Sequence, residues 1–135
     1  MIQLVPYGRG HTNPPLGLEP AWDAPATREL TVRACYACHS NATTWPWYSN
    51  VAPASWLIQS DVDGGRDKVN FTDWATPAKD APAGARLVRD GEMPPSQFLL
   101  LHPDARLTTD EQAALIRGLE ATFGPEPPRG SGRGN

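Results

Sequence analysis

The chain has no long apolar run, no cluster of basic residues, no convincing strand-like alternation, and few sulfur-bearing side chains. Each lack excludes something. A membrane-crossing helix needs about 20 consecutive apolar residues, and nothing in these 135 residues approaches that. Nucleic-acid binders gather Lys and Arg to neutralise phosphates. Here 12 Lys and Arg are outnumbered by 15 Asp and Glu, the net charge is −3, and no basic stripe is visible, so no nucleic-acid partner is expected. Without period-two alternation, no sheet is expected. The opening Met-Ile-Gln-Leu-Val-Pro is too short for a signal peptide and lacks its charged start.

What is abundant is proline, glycine and tryptophan, at 15, 12 and 5 residues. So many breakers predict short elements joined by stiff, extended connections. Residues 1–23 read as an extended arm, residues 24–124 as one helical domain, and residues 125–135 as a disordered tail. The spacing predicts a first helix over Pro25–His39, with Asp23 or Thr27 able to cap it. A loop rich in aromatics follows from Ser40 to Val51. A second helix is expected from Pro53 to Asp63, with Trp56, Leu57 and Ser60 on one face and Gly64-Gly65 as its stop. Val69 to Trp74 reads as a short irregular link. A third helix is expected from Thr76 to Arg89, weakened by Pro82 and Gly84. Gly91 to Pro95 must turn, because Met93 and Pro94 each precede a proline. The last helix opens on a capping box, Thr108 with Glu111, and carries Leu115, Ile116, Leu119 and Phe123 as an apolar stripe.

Chemistry concentrates in Cys35-Tyr36-Ala37-Cys38-His39. Two thiols three residues apart can each add to one haem vinyl group, and the next residue, His39, then serves as the proximal iron ligand. These are the only two cysteines in the chain. Other readings exist. A disulfide or redox pair would fit a thioredoxin-like surrounding, but the βαβ pattern is missing. Zinc would need four ligands, and the chain offers two Cys with His11, His39 and His102 at no familiar spacing. The motif can also arise by chance in a helix.

A haem iron with a proximal histidine keeps a sixth position. Met93 is the only internal methionine, and a proline turn can hold its thioether against iron with little loss of entropy. His and Met together form an electron-transfer ligand pair that raises the potential. Packing of a loop is the plain alternative for Met93. His102 is the second choice of ligand, with a buried, hydrogen-bonded histidine as its plain alternative, and His11 is weaker. Trp45, Trp47, Tyr48 and Trp56 could wall a haem or simply pack a core. Ser40, Asn41 and above all Arg66 could bind propionates, or Arg66 could be a solvated surface arginine.

The run CYACHSNATTWPWYSNVAPASWLIQSDVDGGRDKVNF, followed by GEMPP and LLHPDARLT, closely resembles the small bacterial haem-binding domain of cytochrome c type. The likeness extends from Val5-Pro6-Tyr7 to Leu119. It implies one covalent haem c on Cys35 and Cys38, iron ligated by His39 and Met93, and a mostly helical cytochrome c-like fold. Members of that family begin with an anchor or export signal upstream of a Pro-rich arm. A leader or anchor is therefore expected before Gln3, with a periplasmic or membrane-associated location.

The expectation is an all-α, monohaem electron-transfer protein rather than an enzyme, with a redox partner protein and no organic substrate. A haem-based gas or redox sensor, or a peroxidase-like enzyme with a labile sixth ligand, is the rival from another class. A structural or interaction module, in which haem only stabilises a small core, is a third.

Overall fold

A computed structural model of the chain describes residue 4 and residues 11–128. Val5, Pro6, Tyr7 and Met1, as well as the end of the tail from residue 129, lie outside the described residues. Five helices form among the described residues: α1 (Pro25–His39), α2 (Ala54–Lys68), α3 (Gly84–Arg89), α4 (Ser96–Leu101) and α5 (Thr109–Phe123). Three short 3₁₀ turns sit between them, at Trp47–Asn50, Ala81–Ala83 and Pro103–Ala105. No strand occurs among the described residues, so the fold is all-α.

Helix α1 keeps the expected bounds, with Pro25 in the first turn, where a missing N–H costs nothing. Its cap differs from expectation. Ala24 is the capping residue and no side chain caps the helix. Asp23 instead accepts from Thr27 Oγ1 at 2.5 Å, while its backbone N–H donates to Thr122 Oγ1 at 3.2 Å. The start of α1 is thereby tied to α5. The two helices also approach closely, because a methyl at Gly118 would overlap the Thr27 side chain.

Helix α5 begins as expected. Thr108 Oγ1 accepts from the Glu111 N–H, and the Glu111 carboxylate accepts from the Thr108 N–H, both at 3.1 Å. Its Leu115 and Leu119 join Ala85 and Val88 of α3 in one buried cluster. Tyr36, Val69 and Phe71 form a second. Trp22 and Phe123 pack against both, with their rings 5.8 Å apart and edge to face.

Two expectations need correction. Gly64-Gly65 does not stop α2, which continues through both glycines to Lys68. Each glycine inside a helix costs about 1 kcal/mol relative to alanine, so its presence calls for a reason elsewhere. The buried residues of α2 are Ser55 and Val62, and Leu57 is 52% exposed. The third helix is only α3, six residues long: residues 76–80 form bends, turns and irregular chain, and Pro82 lies in the 3₁₀ turn Ala81–Ala83 that leads directly into it. The apolar run before His102 proves to be a helix of its own, α4, starting directly after Pro95.

The described part of the arm is extended and bonded to the body. Gly17 donates to Thr72 O at 2.7 Å, and Trp74 donates to Leu18 O at 2.9 Å. At the other end, Glu126 is ion-paired with Arg86 at 2.8 Å, so the start of the tail is held against α3.

Candidate functional site

The end of α1, the cavity-facing side of α2, α3 and the turn before α4 enclose a cavity of about 590 Å³, within the usual range for ligand sites of roughly 300–1,000 Å³. Cys35, Cys38, His39 and Met93 all line it. The wall is otherwise mostly apolar, with Val69, Phe71, Leu87, Val88, Phe98 and Leu119. Charged groups are few: Asp61, Asp80 and Glu126 against Lys68 and Arg86.

The helical repeat explains the thiols. Cys35 and Cys38 are three apart in the last turn of α1, so they fall on one face. Neither is in a disulfide. Burial pushes the Cys35 thiol up to about 12 and the Cys38 thiol up to about 11. Redox-active Cys-X-X-Cys pairs do the opposite and lower a thiol to reach the reactive thiolate. These two remain thiols at neutral pH.

His39 is held by α2. Its Nδ1 lies 2.9 Å from Gly65 O and 3.0 Å from Val69 O. Carbonyl oxygens only accept, so Nδ1 carries the proton and donates to both. In the neutral ring the lone pair is then on Nε2, which no protein group hydrogen-bonds among the described residues. Burial keeps the imidazole below its usual range, which favours that neutral form. Such a second bond is the usual device for fixing the tautomer and orientation of a metal-binding histidine.

Gly65 makes this approach feasible. A methyl there would overlap the Cys38 carbonyl oxygen and sit 2.9 Å from its carbon. The bare backbone lets α2 lie directly on the end of α1, bringing the Gly65 carbonyl within reach of His39.

Met93 comes from the turn between α3 and α4. The Met93 and Glu92 N–H groups donate to Leu87 O at 3.2 and 2.9 Å, and Gly91 adopts a φ of 73° that suits glycine. Pro94 and Pro95 continue the wall.

The other residues singled out from the sequence lie elsewhere. His102 does not line this cavity but borders a smaller, adjoining pocket of about 40 Å³ that shares Ala37, Cys38, Asp61 and Phe98 with it. Its Nε2 is 3.1 Å from Tyr48 Oη, its Nδ1 is 3.1 Å from Phe98 O, and it stacks on Phe98 at 4.1 Å. Both ring nitrogens are thus engaged by protein. His11 stacks on Trp45 at 4.3 Å. Trp47 is 79% exposed. None of Trp45, Trp47, Tyr48 and Trp56 lines the larger cavity.

Arg66 does not line it either. It donates to Ser40 O at 2.8 Å, Thr12 O at 2.9 Å, Asn13 Oδ1 at 2.8 Å and Thr43 Oγ1 at 3.0 Å. Its guanidinium staples the arm to the loop after His39. Asn41 is likewise occupied, donating to Pro15 O and accepting from Asn70. Ser40 donates to Tyr36 O and accepts from the Ala42 N–H.

Sequence reasoning missed most of the wall, including Phe71, Leu87, Phe98 and Lys68. The signal for Lys68 was present in the spacing: Asp61, Gly64, Gly65 and Lys68 recur at three- and four-residue steps on one helical face. Assuming that α2 ended at Gly64 concealed it.

The donor set fits haem. Two adjacent thiols, a histidine with its Nε2 lone pair available, and a thioether meet in one mostly apolar cavity. Among the described residues no group of three or more His, Cys, Asp or Glu side chains is arranged to hold a bare metal ion. The described helices include none long and apolar enough to cross a membrane. Residues 1–121 match the family model described as a haem-binding domain. No curated protein and no solved structure matches the chain.

Proposed function

Because the chain belongs to the haem-binding domain family, we propose that it is a monohaem c-type cytochrome that passes single electrons outside the cytoplasm. The observation that carries this reading is the meeting of Cys35, Cys38, His39 and Met93 in one cavity wall. Haem c supplies an iron that cycles between ferric and ferrous. The chain supplies attachment, ligands and surroundings.

Cys35 and Cys38 would hold the haem covalently, through thioether links to its two vinyl groups. His39 offers Nε2 to the iron, with its ring fixed through Nδ1 by Gly65 and Val69. Met93 would offer its thioether to the iron from the proline turn. A soft thioether favours ferrous iron and so raises the potential. Phe71, Leu87 and Phe98 exclude water from the iron's surroundings.

Of the two wall cations, Arg86 is already within 2.8 Å of Glu126, 3.5 Å of Asp90 and 3.6 Å of Glu92. Lys68 has no such carboxylate partner among the described residues and serves as the propionate cation. Electrons come from, and go to, a partner redox protein. An upstream anchor would keep the domain at a membrane. The engagement of both His102 nitrogens argues against an acid–base role for it, which weakens the peroxidase-like and sensor readings.

The test is expression with a haem-attachment system. The protein should gain the mass of one haem and keep its colour after acid–acetone treatment. Haem that extracts would overturn covalent attachment. Met93→Ala should remove the weak red-edge absorption band, lower the potential and admit carbon monoxide. An unchanged spectrum would remove Met93 as a ligand.

A further inference from the structure

Gly64 and Gly65 are neighbours inside α2, yet protein packing accounts for only one of them. Gly65 is needed for the approach of Cys38. At Gly64, an added Cβ would meet no atom within 4 Å. Its backbone is not in the left-handed region that favours glycine, which among the described residues is taken only by Gly91 and Gly124. Alanine would suit the helix better, and within the protein there is room for it. What distinguishes Gly64 is its place in the cavity wall, one turn after Asp61 or Ser60 and one turn before Lys68.

We propose that Gly64 is kept bare for the ligand: it is where a flat tetrapyrrole lies directly against the backbone of α2. This inference rests on the haem reading. A planar, rigid macrocycle packs best on a surface without protruding atoms. Gly64 leaves such a bare patch in the cavity wall, with Asp61 and Lys68 lining the wall one turn to either side. Gly64 borders the cavity and an added Cβ there would stand in open space, which the macrocycle would occupy. The larger the side chain, the greater the displacement of the macrocycle from His39.

The test uses the full chain produced with a haem-attachment system, comparing Gly64→Ala, Gly64→Leu and the control Asp67→Leu. Asp67 is an exposed residue of α2 outside the cavity wall. Haem loading is read by mass, helix content by circular dichroism, and the site by the reduced spectrum and midpoint potential. Gly64→Leu should carry haem on a several-fold smaller fraction of chains than Asp67→Leu, which should load like the unaltered chain. Gly64→Ala should stay helical and load, but with a shifted reduced spectrum and potential. If Gly64→Leu fails to fold, Gly64→Ala decides alone. Loading, spectrum and potential equal to those of the unaltered chain in every folded Gly64 variant would overturn the inference while leaving the haem reading intact. An unaltered chain that takes up no haem would instead overturn the haem reading, and this inference with it.

Discussion

Toward the arm and the aromatic loop, α2 is closed by protein: Arg66 reaches Ser40, Thr12, Asn13 and Thr43, and its guanidinium lies 5.9 Å from the Trp45 ring. Toward α1 and Met93, the same helix presents Asp61, Gly64, Gly65 and Lys68 to a cavity. One side satisfies its polar groups within the chain; the other brings a thioether, two thiols and a histidine to the cavity wall. The difference separates residues that hold the scaffold from residues that line the cavity. Being near the haem motif in sequence does not decide which group a residue joins, as Trp45 and Arg66 demonstrate.

The largest expected effect comes from the seam between the two sides. Gly65→Ala forces a methyl against the Cys38 carbonyl, and overpacking of this kind costs about 1–3 kcal/mol. Denaturant unfolding should register that loss. The same substitution at Gly64 should not destabilise the haem-free chain, since alanine is favoured in a helix by up to about 1 kcal/mol. Equal losses at both glycines would erase the distinction.

Arg66→Ala removes four hydrogen bonds from the protein-closed side, and a loss of about 2 kcal/mol is expected from bonds made by a charged donor. The reduced haem spectrum should stay where it was. A moved spectrum would mean that the arm contributes to the site after all.

His102→Ala should be milder, at about 1 kcal/mol for the bonds to Tyr48 and Phe98. It too should leave the spectrum unchanged, in contrast to Met93→Ala. A large spectral change would make His102 a ligand and break the assignment of the two pockets.

The smallest effect concerns Glu19, which accepts from Arg28 at 2.6 and 2.8 Å at the surface. The Arg28 guanidinium holds this carboxyl below its ordinary 4.5. A depressed folded value means the pair contributes above the ordinary carboxyl range and is lost as pH falls below it. Glu19→Gln should cost under about 1 kcal/mol at neutral pH, as exposed pairs do. The variant and the parent should converge in stability as the solution is acidified below the carboxyl range.

Local signals made part of this molecule legible in advance. Pro25 and the absence of breakers set α1, and Thr108 with Glu111 set the start of α5, because capping acts within four residues. The turn at Met93 followed from two consecutive prolines. The course of α2 through Gly64-Gly65 was not legible, since the compensation for Gly65 comes from Cys38, 27 positions earlier in the chain, and docking of two helices leaves no local mark. The roles of the aromatic loop and Arg66 were hidden for the same reason: their partners, His11, Thr12 and Asn13, belong to an arm that sequence pattern places nowhere. Phe98 was seen only as part of an apolar run, whereas it both stacks on His102 and borders the cavity.

The shared bond from His39 to the Gly65 and Val69 carbonyls also sets how long the imidazole holds its orientation. Both acceptors belong to the last turn and cap of α2, where helices fray first. The ring proton can exchange with solvent only when that turn opens. Its exchange lifetime, read by NMR, is therefore a direct gauge of how often the end of α2 releases the His39 ring.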